Sequence, residues 1–328
     1  MADLVFLGTP EAAVPSLEAL VAAGHRIRLV VSRPDVRRGR GPGTAPSPVK
    51  AAAIALGLPV SDRLEDVVGV GAELGVVVAY GRIVPQRVLD ALAMVNVHFS
   101  LLPRWRGAAP VERAILAGDD VTGVCIMRLD AGLDTGPILA RVVVPIRNEE
   151  REHARALTAR LAAAGAELLV ATLAGGVAAL GPGEPQVGEP TYAAKLEPEE
   201  LRIDWSQPAS VVERVVRLDR AWTTFRGQRL RILRARAVDG EGTVVPAASA
   251  DAGHQVGAPG TLAPDGTVVA GTGALILEEV QPPGRRPMAA ADWLRGIRLQ
   301  PGERLGATPP TAPPRGEQPS GAGPRPAP

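Results

Sequence analysis

Two polar segments of the sequence carry residue types that could act on a carbonyl-type carbon. Asn96 and His98 lie two residues apart in VNVHFSLLP, so their side chains point to the same face of a strand. Asp134 lies in RLDAGLDTGP, where a second strand is expected to end. An asparagine can stabilise an oxyanion, a histidine can exchange a proton, and an aspartate can orient the imidazole and favour its cation. Together they predict attack by a substrate amine on such a carbon, in a site that needs no metal ion.

Other interpretations of these segments have less support. A histidine on an apolar strand is often a hydrogen-bonded core residue, but Asn96 on the same face favours a chemical task. Ser100 is a weak candidate for a nucleophile, and Cys125 is expected to be a small buried hydrophobe in mid-strand. The triplet 134–136 spells the aspartic-protease motif, but that chemistry needs a second triplet in an all-β fold. The first strand is not followed by GxGxxG and no GxxxxGK[ST] occurs, so dinucleotide and P-loop binding are unsupported.

The elements that must position these residues alternate between strands and helices up to about residue 175. Strands are predicted at 4–8, 26–32, 58–60, 76–80, 94–99, 123–129 and 138–146, and helices at 10–24, 48–57 and 150–175. This alternation predicts an α/β fold with a doubly wound, mostly parallel sheet. Ligands of such sheets bind at the carboxyl ends of the strands, which is where Asn96 and His98 lie.

A change of pattern after residue 180 predicts a second domain. The segment 181–203 is rich in Pro, Gly and Glu and is predicted to be a linker. From residue 204 onward, one amphipathic helix and short strands with glycine turns predict a small, OB-like β-barrel. The expected organisation is a catalytic domain at 1–180, the linker, the barrel at 204–303 and a disordered, proline-rich tail at 304–328.

Charge and composition limit the partners and the location. The net charge is only +1, yet eight arginines face one acid between residues 214 and 236, and 26–50 is also basic. Such clusters suggest a polyanionic partner. The single cysteine excludes an intramolecular disulfide and fits a reducing cytoplasm. With no signal peptide and no run of about 18 apolar residues, a cytoplasmic protein without a membrane partner is expected.

Several motifs then establish a resemblance that covers roughly residues 3 to 303. The motifs are FLGTP (6–10), GRG (39–41), PSPVK (46–50), VVVAYGRIVP (76–85), VNVHFSLLPRWRGAAPV (95–111), GVCIMRLDAGLDTGPIL (123–139), TYAAKL (191–196), RIDW (202–205) and QPPGRRPMAAADWLRG (281–296). In this order they resemble the folate-dependent formyltransferases. The second-domain motifs narrow the resemblance to the methionyl-tRNA formyltransferase family.

The resemblance implies a reaction and a set of site residues. The donor would be 10-formyltetrahydrofolate as co-substrate, and the acceptor the α-amino group of methionine on initiator methionyl-tRNA, for translation initiation. Asn96, His98 and Asp134 match the catalytic positions, with no metal, in a monomeric protein. The implied folate contacts are Tyr80, Gly81, Arg82, Ile83, Val84, Ser100, Leu101, Leu102, Pro103, Asp130 and Gly132. The implied tRNA contacts are Arg38, Arg40, Lys195, Arg229 and Arg231.

Two alternatives stay open at this point. One is a formyltransferase that acts on an amino sugar nucleotide or another small amine, which would share Asn96, His98 and Asp134. The other is a non-catalytic relative that binds RNA or folate. Phe99 departs from the family pattern, which most often has glycine there, so its side chain would either crowd the site or pack in the core.

Overall fold

The computed structural model describes residues 1–37, 44–238 and 257–307. The elements of the first half are β1 (Asp3–Gly8), α1 (Val14–Ala22), β2 (Arg26–Val31), β3 (Val36–Arg37), β4 (Thr44–Ala45), α2 (Pro48–Ala55), β5 (Val60–Ser61), β6 (Leu74–Val78), α3 (Gln86–Ala91), β7 (Met94–His98), β8 (Arg106–Gly107), α4 (Pro110–Ala117), β9 (Val121–Arg128), β10 (Ile138–Pro145) and α5 (Ala154–Leu173). The later elements are β11 (Tyr192–Ala193), α6 (Ala209–Val216), β12 (Trp222–Phe225), β13 (Gln228–Val238), β14 (Thr267–Val269), β15 (Ala274–Gln281), β16 (Met288–Ala289) and α7 (Ala290–Ile297).

The N-terminal sheet has seven strands in the order β10-β9-β7-β6-β1-β2-β5. The five strands from β7 to β5 pair in parallel, whereas β9 and β10 are antiparallel to their neighbours. Strands β1 and β6 are continuous apolar runs because both faces of this sheet are covered. One face packs against α1 and α5, and the other covers a second cluster around Tyr80 and Val88.

Helix α5 is the longest helix of the described residues and is central to the N-terminal core. By length and composition it is also the one helix of residues 1–37, 44–238 and 257–307 that could cross a membrane. Here it packs against α1, β9 and β10, and Leu157, Leu161 and Leu169 are fully buried. Its apolar character is therefore that of a core helix.

The predicted helix at 10–24 is shorter and starts differently. Residues Glu11–Ala13 form a 3-10 turn, and α1 begins only at Val14. Pro15 consequently lies in the first helical turn, where its missing N–H leaves no intrahelical bond unmade. Helices α3, α4 and α7 were not predicted, because segments of six to eight residues give only a weak helical period.

The C-terminal domain is built on an antiparallel sheet in the order β12-β13-β15-β14, with β16 on β15. Its core contains Trp205 and Ile232, and Trp293 packs edge-on against Phe225 at 5.2 Å. The predicted fold class, a mostly parallel α/β sheet followed by a small antiparallel domain, is confirmed. Leu305 is buried in this second core, so the core extends beyond the expected boundary at residue 303. Residues 308–328 of the expected tail lie outside the described residues.

The segment predicted as a linker packs closely on the N-terminal domain. Strand β11 pairs in parallel with β8, and the Arg113 guanidinium binds Glu200. This pairing places residues 192–193 beside β8, the short strand that follows the SLLPRW segment. The segment 181–203 therefore contributes structure to the candidate site.

Candidate active site

The site forms where β7 ends and two loops meet. Asn96 and His98 lie on the same face at the carboxyl end of β7, as predicted from their spacing. Strand β9 runs antiparallel to β7, so the loop after it begins beside Met94 and must fold back. In doing so it brings Asp134 next to both side chains.

The three polar side chains form one cluster around the Asp134 carboxylate. Oδ2 of Asp134 lies 3.6 Å from Nδ1 of His98. Oδ1 lies 3.5 Å from Nδ2 of Asn96, the long limit of a hydrogen bond. His98 is buried and the Asp134 side chain is nearly so, which strengthens electrostatic interactions between them.

The tautomer of His98 is set by its second nitrogen. Nε2 lies 2.9 Å from the carbonyl oxygen of Trp105. A carbonyl can only accept a hydrogen bond, so Nε2 carries a proton. Nδ1 is then the nitrogen that is free to gain or lose a proton, and it faces Asp134. This arrangement suits a proton acceptor whose cation a carboxylate stabilises.

Asp134 is itself held from two sides. The backbone N–H of Gly107 donates to Oδ2 at 2.8 Å. Asp134 has a φ of +51°, an uncommon value for a residue with a side chain. The Gln186 amide donates to the carbonyls of Asp134 and Gly136 at 2.8 and 2.9 Å. Its oxygen accepts from the guanidinium of Arg106, so Gln186 joins the two loops that meet at the carboxylate.

Gly107 must be glycine for a geometric reason. Its φ is +119°, which other residues rarely adopt. A Cβ atom there would lie 2.9 Å from the carbonyl oxygen of Ala193 in β11. The close approach of β8 and β11 thus places the Gly107 N–H where it reaches Asp134.

A cavity of about 590 Å³ opens in front of this cluster. Asn96, His98 and Asp134 form part of its wall, and the loops 79–84 and 129–134 form much of the rest. The predicted folate contacts that line it are Tyr80, Gly81, Arg82, Ile83, Val84, Asp130 and Gly132. Ile83 and Leu133 lie on these two loops and are 85% and 55% exposed. Exposed apolar side chains beside a cavity suit a ligand with a flat, apolar part.

Four predicted folate contacts do not line this cavity: Ser100, Leu101, Leu102 and Pro103. The Ser100 hydroxyl is buried and donates to the carbonyl of Arg104, and Leu102 packs against Cys125 and Met127. The turn they form carries the chain to Trp105 and its carbonyl. Their contact with folate stays a prediction.

Phe99 packs in the core and also contributes to the cavity wall. Its ring is buried with Val97 and Val124. Gly165 of α5 leaves room there, since a Cβ atom would lie 3.0 Å from Val97 and 3.6 Å from the Phe99 ring. Both interpretations of this departure therefore apply in part.

Most arginines between residues 214 and 236 are engaged within the protein. Ion pairs join Arg220 to Glu112, Arg226 to Glu303, Arg234 to Glu279 and Arg236 to Glu278. Arg217 is buried, and burial lowers its pKa. The predicted tRNA contact Arg231 binds Gln281 and the carbonyl of Asp219. The basic surface formed by residues 214–236 is therefore smaller than the number of arginines in this segment suggests.

Two predicted tRNA contacts lie on the surface. Lys195 and Arg229 are exposed. The Arg229 guanidinium lies 4.4 Å from the Trp222 ring centroid, a cation–π distance. Arg38 and Arg40 lie outside the described residues. Within the described part of the chain, no group of three or more His, Cys, Asp and Glu side chains could hold a metal ion.

Comparison with known proteins assigns the chain to a family. The family described as "Formyl transferase" matches residues 2–173, and "Formyl transferase, C-terminal domain" matches 195–298. Methionyl-tRNA formyltransferase of Roseobacter denitrificans is 46% identical over 314 residues, covering 91% of this chain and 97% of that protein. The chain belongs to the methionyl-tRNA formyltransferase family.

Solved structures support the fold of this formyltransferase. Methionyl-tRNA formyltransferase from Clostridium thermocellum gives a TM-score of 0.52 at 15% identity, over 75% of this chain and 97% of that one. HypX from Aquifex aeolicus in complex with tetrahydrofolic acid gives 0.60 at 17% identity, over 90% of this chain and 47% of that one. The chain thus spans about half the length of HypX. At these identities the likeness establishes the fold alone.

Sequence reasoning missed three residues that shape the site of this formyltransferase. Trp105 supplies the carbonyl that binds His98, Gln186 joins the loops around Asp134, and Asp119 binds the Trp105 indole. Trp105 lies within the VNVHFSLLPRWRGAAPV motif, but only the structure shows that its backbone carbonyl contacts His98. Gln186 and Asp119 lie in turn-like segments where periodicity carries no signal.

Proposed function

We propose that this chain transfers the formyl group of 10-formyltetrahydrofolate to the α-amino group of methionine on initiator methionyl-tRNA, in the cytoplasm, for translation initiation. The proposal rests on one observation above all. Nδ1 of His98, the Asn96 amide and the Asp134 carboxylate converge at the wall of one cavity, in a chain of this family. The monomeric state and the location stay predictions.

The cavity fits a folate co-substrate by size and by character. Its volume is within the ~300–1,000 Å³ typical of small-molecule sites. Tyr80 contributes to the wall, and its buried hydroxyl has no hydrogen-bond partner among the described residues. Ile83 and Leu133 offer apolar surface at the same loops. When bound, the co-substrate would supply the formyl carbon.

Each of the three polar side chains has its own role in the transfer. The Asn96 Nδ2 has a weak bond to Asp134, so its amide can donate to an oxygen that becomes negative during attack. Nδ1 of His98 accepts the proton that the amine loses, because Nε2 is held by Trp105. The bond between the formyl carbon and the folate nitrogen then breaks, and His98 returns this proton to the departing nitrogen. The Asp134 carboxylate stabilises the resulting imidazolium and keeps the ring in place.

The acceptor tRNA would bind through the exposed cations. Lys195 follows β11, which pairs with β8 beside the catalytic cluster, and Arg229 lies on β13. Arg38 and Arg40 remain predicted contacts from the GRG segment. Cations that contact phosphates make binding weaken as salt is raised.

The test is formyl transfer from 10-formyltetrahydrofolate to charged initiator tRNA, measured for wild type and Asn96→Ala together. We expect transfer by the wild type and a loss of about 100- to 1,000-fold in the variant, the usual effect of removing one oxyanion donor. No transfer to tRNA by folded wild type, with transfer to an amino sugar nucleotide or another small amine, would refute the proposed acceptor. Equal rates for wild type and variant would refute the role of Asn96.

A further inference from the structure

The carbonyl of Trp105 determines which nitrogen of His98 is free. It accepts a hydrogen bond from the Nε2–H, with Nε2 2.9 Å from the oxygen, and so leaves Nδ1 open toward Asp134. Trp105 has a φ of +62°, in the left-handed region that bulky residues rarely occupy. This conformation persists only if neighbouring contacts hold it. The contacts of Trp105 therefore bear on the protonation of His98.

Two hydrogen bonds from Trp105 itself hold this residue. Its backbone N–H donates to the Thr191 hydroxyl at 2.9 Å, and its indole Nε1 donates to Oδ2 of Asp119 at 2.8 Å. The Asp119 carboxylate also binds the Arg104 guanidinium through two nitrogens. Arg104 in turn lies 4.6 Å from the Trp105 ring centroid. Asp119 thus binds the ring edge and also positions the cation over the ring face.

Asp119 is well placed to act as a rigid anchor. It directly follows Gly118, the left-handed residue that ends α4, and its side chain is only 14% exposed. Its carbonyl accepts from the Asn148 amide, whose oxygen accepts from the buried Arg217 of the C-terminal domain. Asp119 does not line the cavity and does not contact His98.

We propose that Asp119 is a positioning residue for formyl transfer, which acts through the Trp105 indole and carbonyl to keep the proton of neutral His98 on Nε2. Its kinetic consequence rests on the proposed function, whereas its effect on the imidazole does not. Without the indole bond, Trp105 relaxes and the Nδ1–H form of His98 becomes populated. That form has no lone pair on Nδ1 to accept a proton from the amine.

The direct test is the imidazole itself, observed by ¹⁵N NMR of histidine-labelled protein at about pH 8.5, where an ordinary imidazole is neutral. The chain has four histidines, and His98→Gln assigns the signal. Trp105→Phe removes the indole N–H but keeps a ring beneath Arg104. Asp119→Ala removes the acceptor, and Asp119→Asn keeps one acceptor oxygen. Arg104→Gln is the matched control, because it removes the other partner of Asp119.

We expect wild type, Asp119→Asn and Arg104→Gln to show His98 protonated on Nε2. Trp105→Phe and Asp119→Ala should both shift the signal toward Nδ1–H, and the double variant should shift it no further. The kcat of both should fall about 10- to 100-fold with little change in KM. Trp105→Phe keeps the inference testable if Asp119→Ala fails to fold. An unchanged His98 signal in folded Trp105→Phe would overturn it, as would an equal shift in Arg104→Gln.

Discussion

Asp134 and Gly107 are joined by a hydrogen bond of 2.8 Å from the Gly107 N–H to Oδ2. The same oxygen is the one nearest Nδ1 of His98. Because the donor is an uncharged backbone N–H, the bond holds the carboxylate in front of the imidazole and leaves its negative charge in place. The other oxygen is left to Asn96, at 3.5 Å. This backbone N–H thus helps to orient both carboxylate oxygens toward the other two side chains of the cluster.

Asp134→Asn should keep this geometry and remove the charge. The amide oxygen can still accept from Gly107, so the loop should stay in place. Without the carboxylate, the imidazolium that forms during transfer loses its stabilisation, and kcat should fall by about 10⁴-fold, as for the aspartate of a Ser-His-Asp triad. Steady-state kinetics with circular dichroism as a folding control would measure this. A kcat within a few-fold of wild type would exclude the charge from the mechanism.

Gln186→Leu should lower kcat without abolishing the binding of folate or of tRNA. The substitution removes the bonds to the carbonyls of Asp134 and Gly136 and frees the Arg106 side chain. The carboxylate then loses part of its alignment, which should cost roughly 10-fold in kcat at nearly constant KM.

Val187→Ala is the matched control for Gln186, since Val187 is the next residue and is 87% exposed. It should behave as wild type. An effect of Gln186→Leu that is confined to the KM for tRNA would instead indicate that the segment 181–203 only contacts the acceptor.

Much of this site was predictable because its chemistry lies on regular elements. Asn96 and His98 share a face of β7 by simple alternation, and Asp134 stands where a strand was expected to end. Strands β1 and β6 are also regular elements, and their continuous apolar runs predicted a sheet that is buried on both faces.

The supporting contacts were not predictable because they depend on backbone carbonyls and turns. The sequence around Gln186 does not show that its side chain binds the carbonyl oxygen of Asp134. Likewise, the sequence around Asp119 does not show that its carboxylate binds the Trp105 indole. The number of unpaired cations in the arginine cluster was not predictable for a related reason. Counting charge along the chain cannot show that Arg217 is buried or that Arg236 lies beside Glu278.

Leu133→Asp should weaken folate binding selectively. Leu133 is exposed on the loop that lines the cavity, and an ionised side chain there would remove apolar contact and would lose hydration when a ligand covers it. The Kd for a folate should rise about 10-fold, with the KM for tRNA unchanged. Val143→Asp, at an exposed apolar position of β10, is the control, and an equal rise there would show that the effect is not local.

Arg229→Ala should weaken tRNA binding and leave folate binding intact. The exposed guanidinium over Trp222 is free to contact a phosphate. Loss of one such contact should raise the KM for tRNA several-fold and reduce the slope of log K against log salt by about 1. Arg234→Ala removes a cation already paired with Glu279 and should change the slope less. Identical slopes for Arg229→Ala and wild type would place the tRNA elsewhere.

Asp219→Asn should destabilise the protein in a pH-dependent way. Burial alone would raise the pKa of Asp219, but hydrogen bonds from His153 and the backbone N–H of Arg155 outweigh it and lower the pKa. Asparagine tolerates the φ of +64° at this position, but its amide has one acceptor oxygen, so the substitution removes the charge and one of these two hydrogen bonds. Because the side chain is 39% exposed and partly screened, we expect a loss of about 1 kcal/mol at neutral pH.

The pH range follows from the direction of that shift. A depressed pKa means that the carboxylate stabilises the folded state above about pH 4, the value for an unfolded aspartate. The stabilisation is lost as the pH falls through the lower, folded value, so wild type and Asp219→Asn should converge in strongly acidic solution. Urea unfolding at pH 7 and at successively lower pH would measure the difference, with the exposed Asp62→Asn as control. A constant difference between Asp219→Asn and wild type at every pH would show that the aspartate stabilises the fold by shape and not by charge.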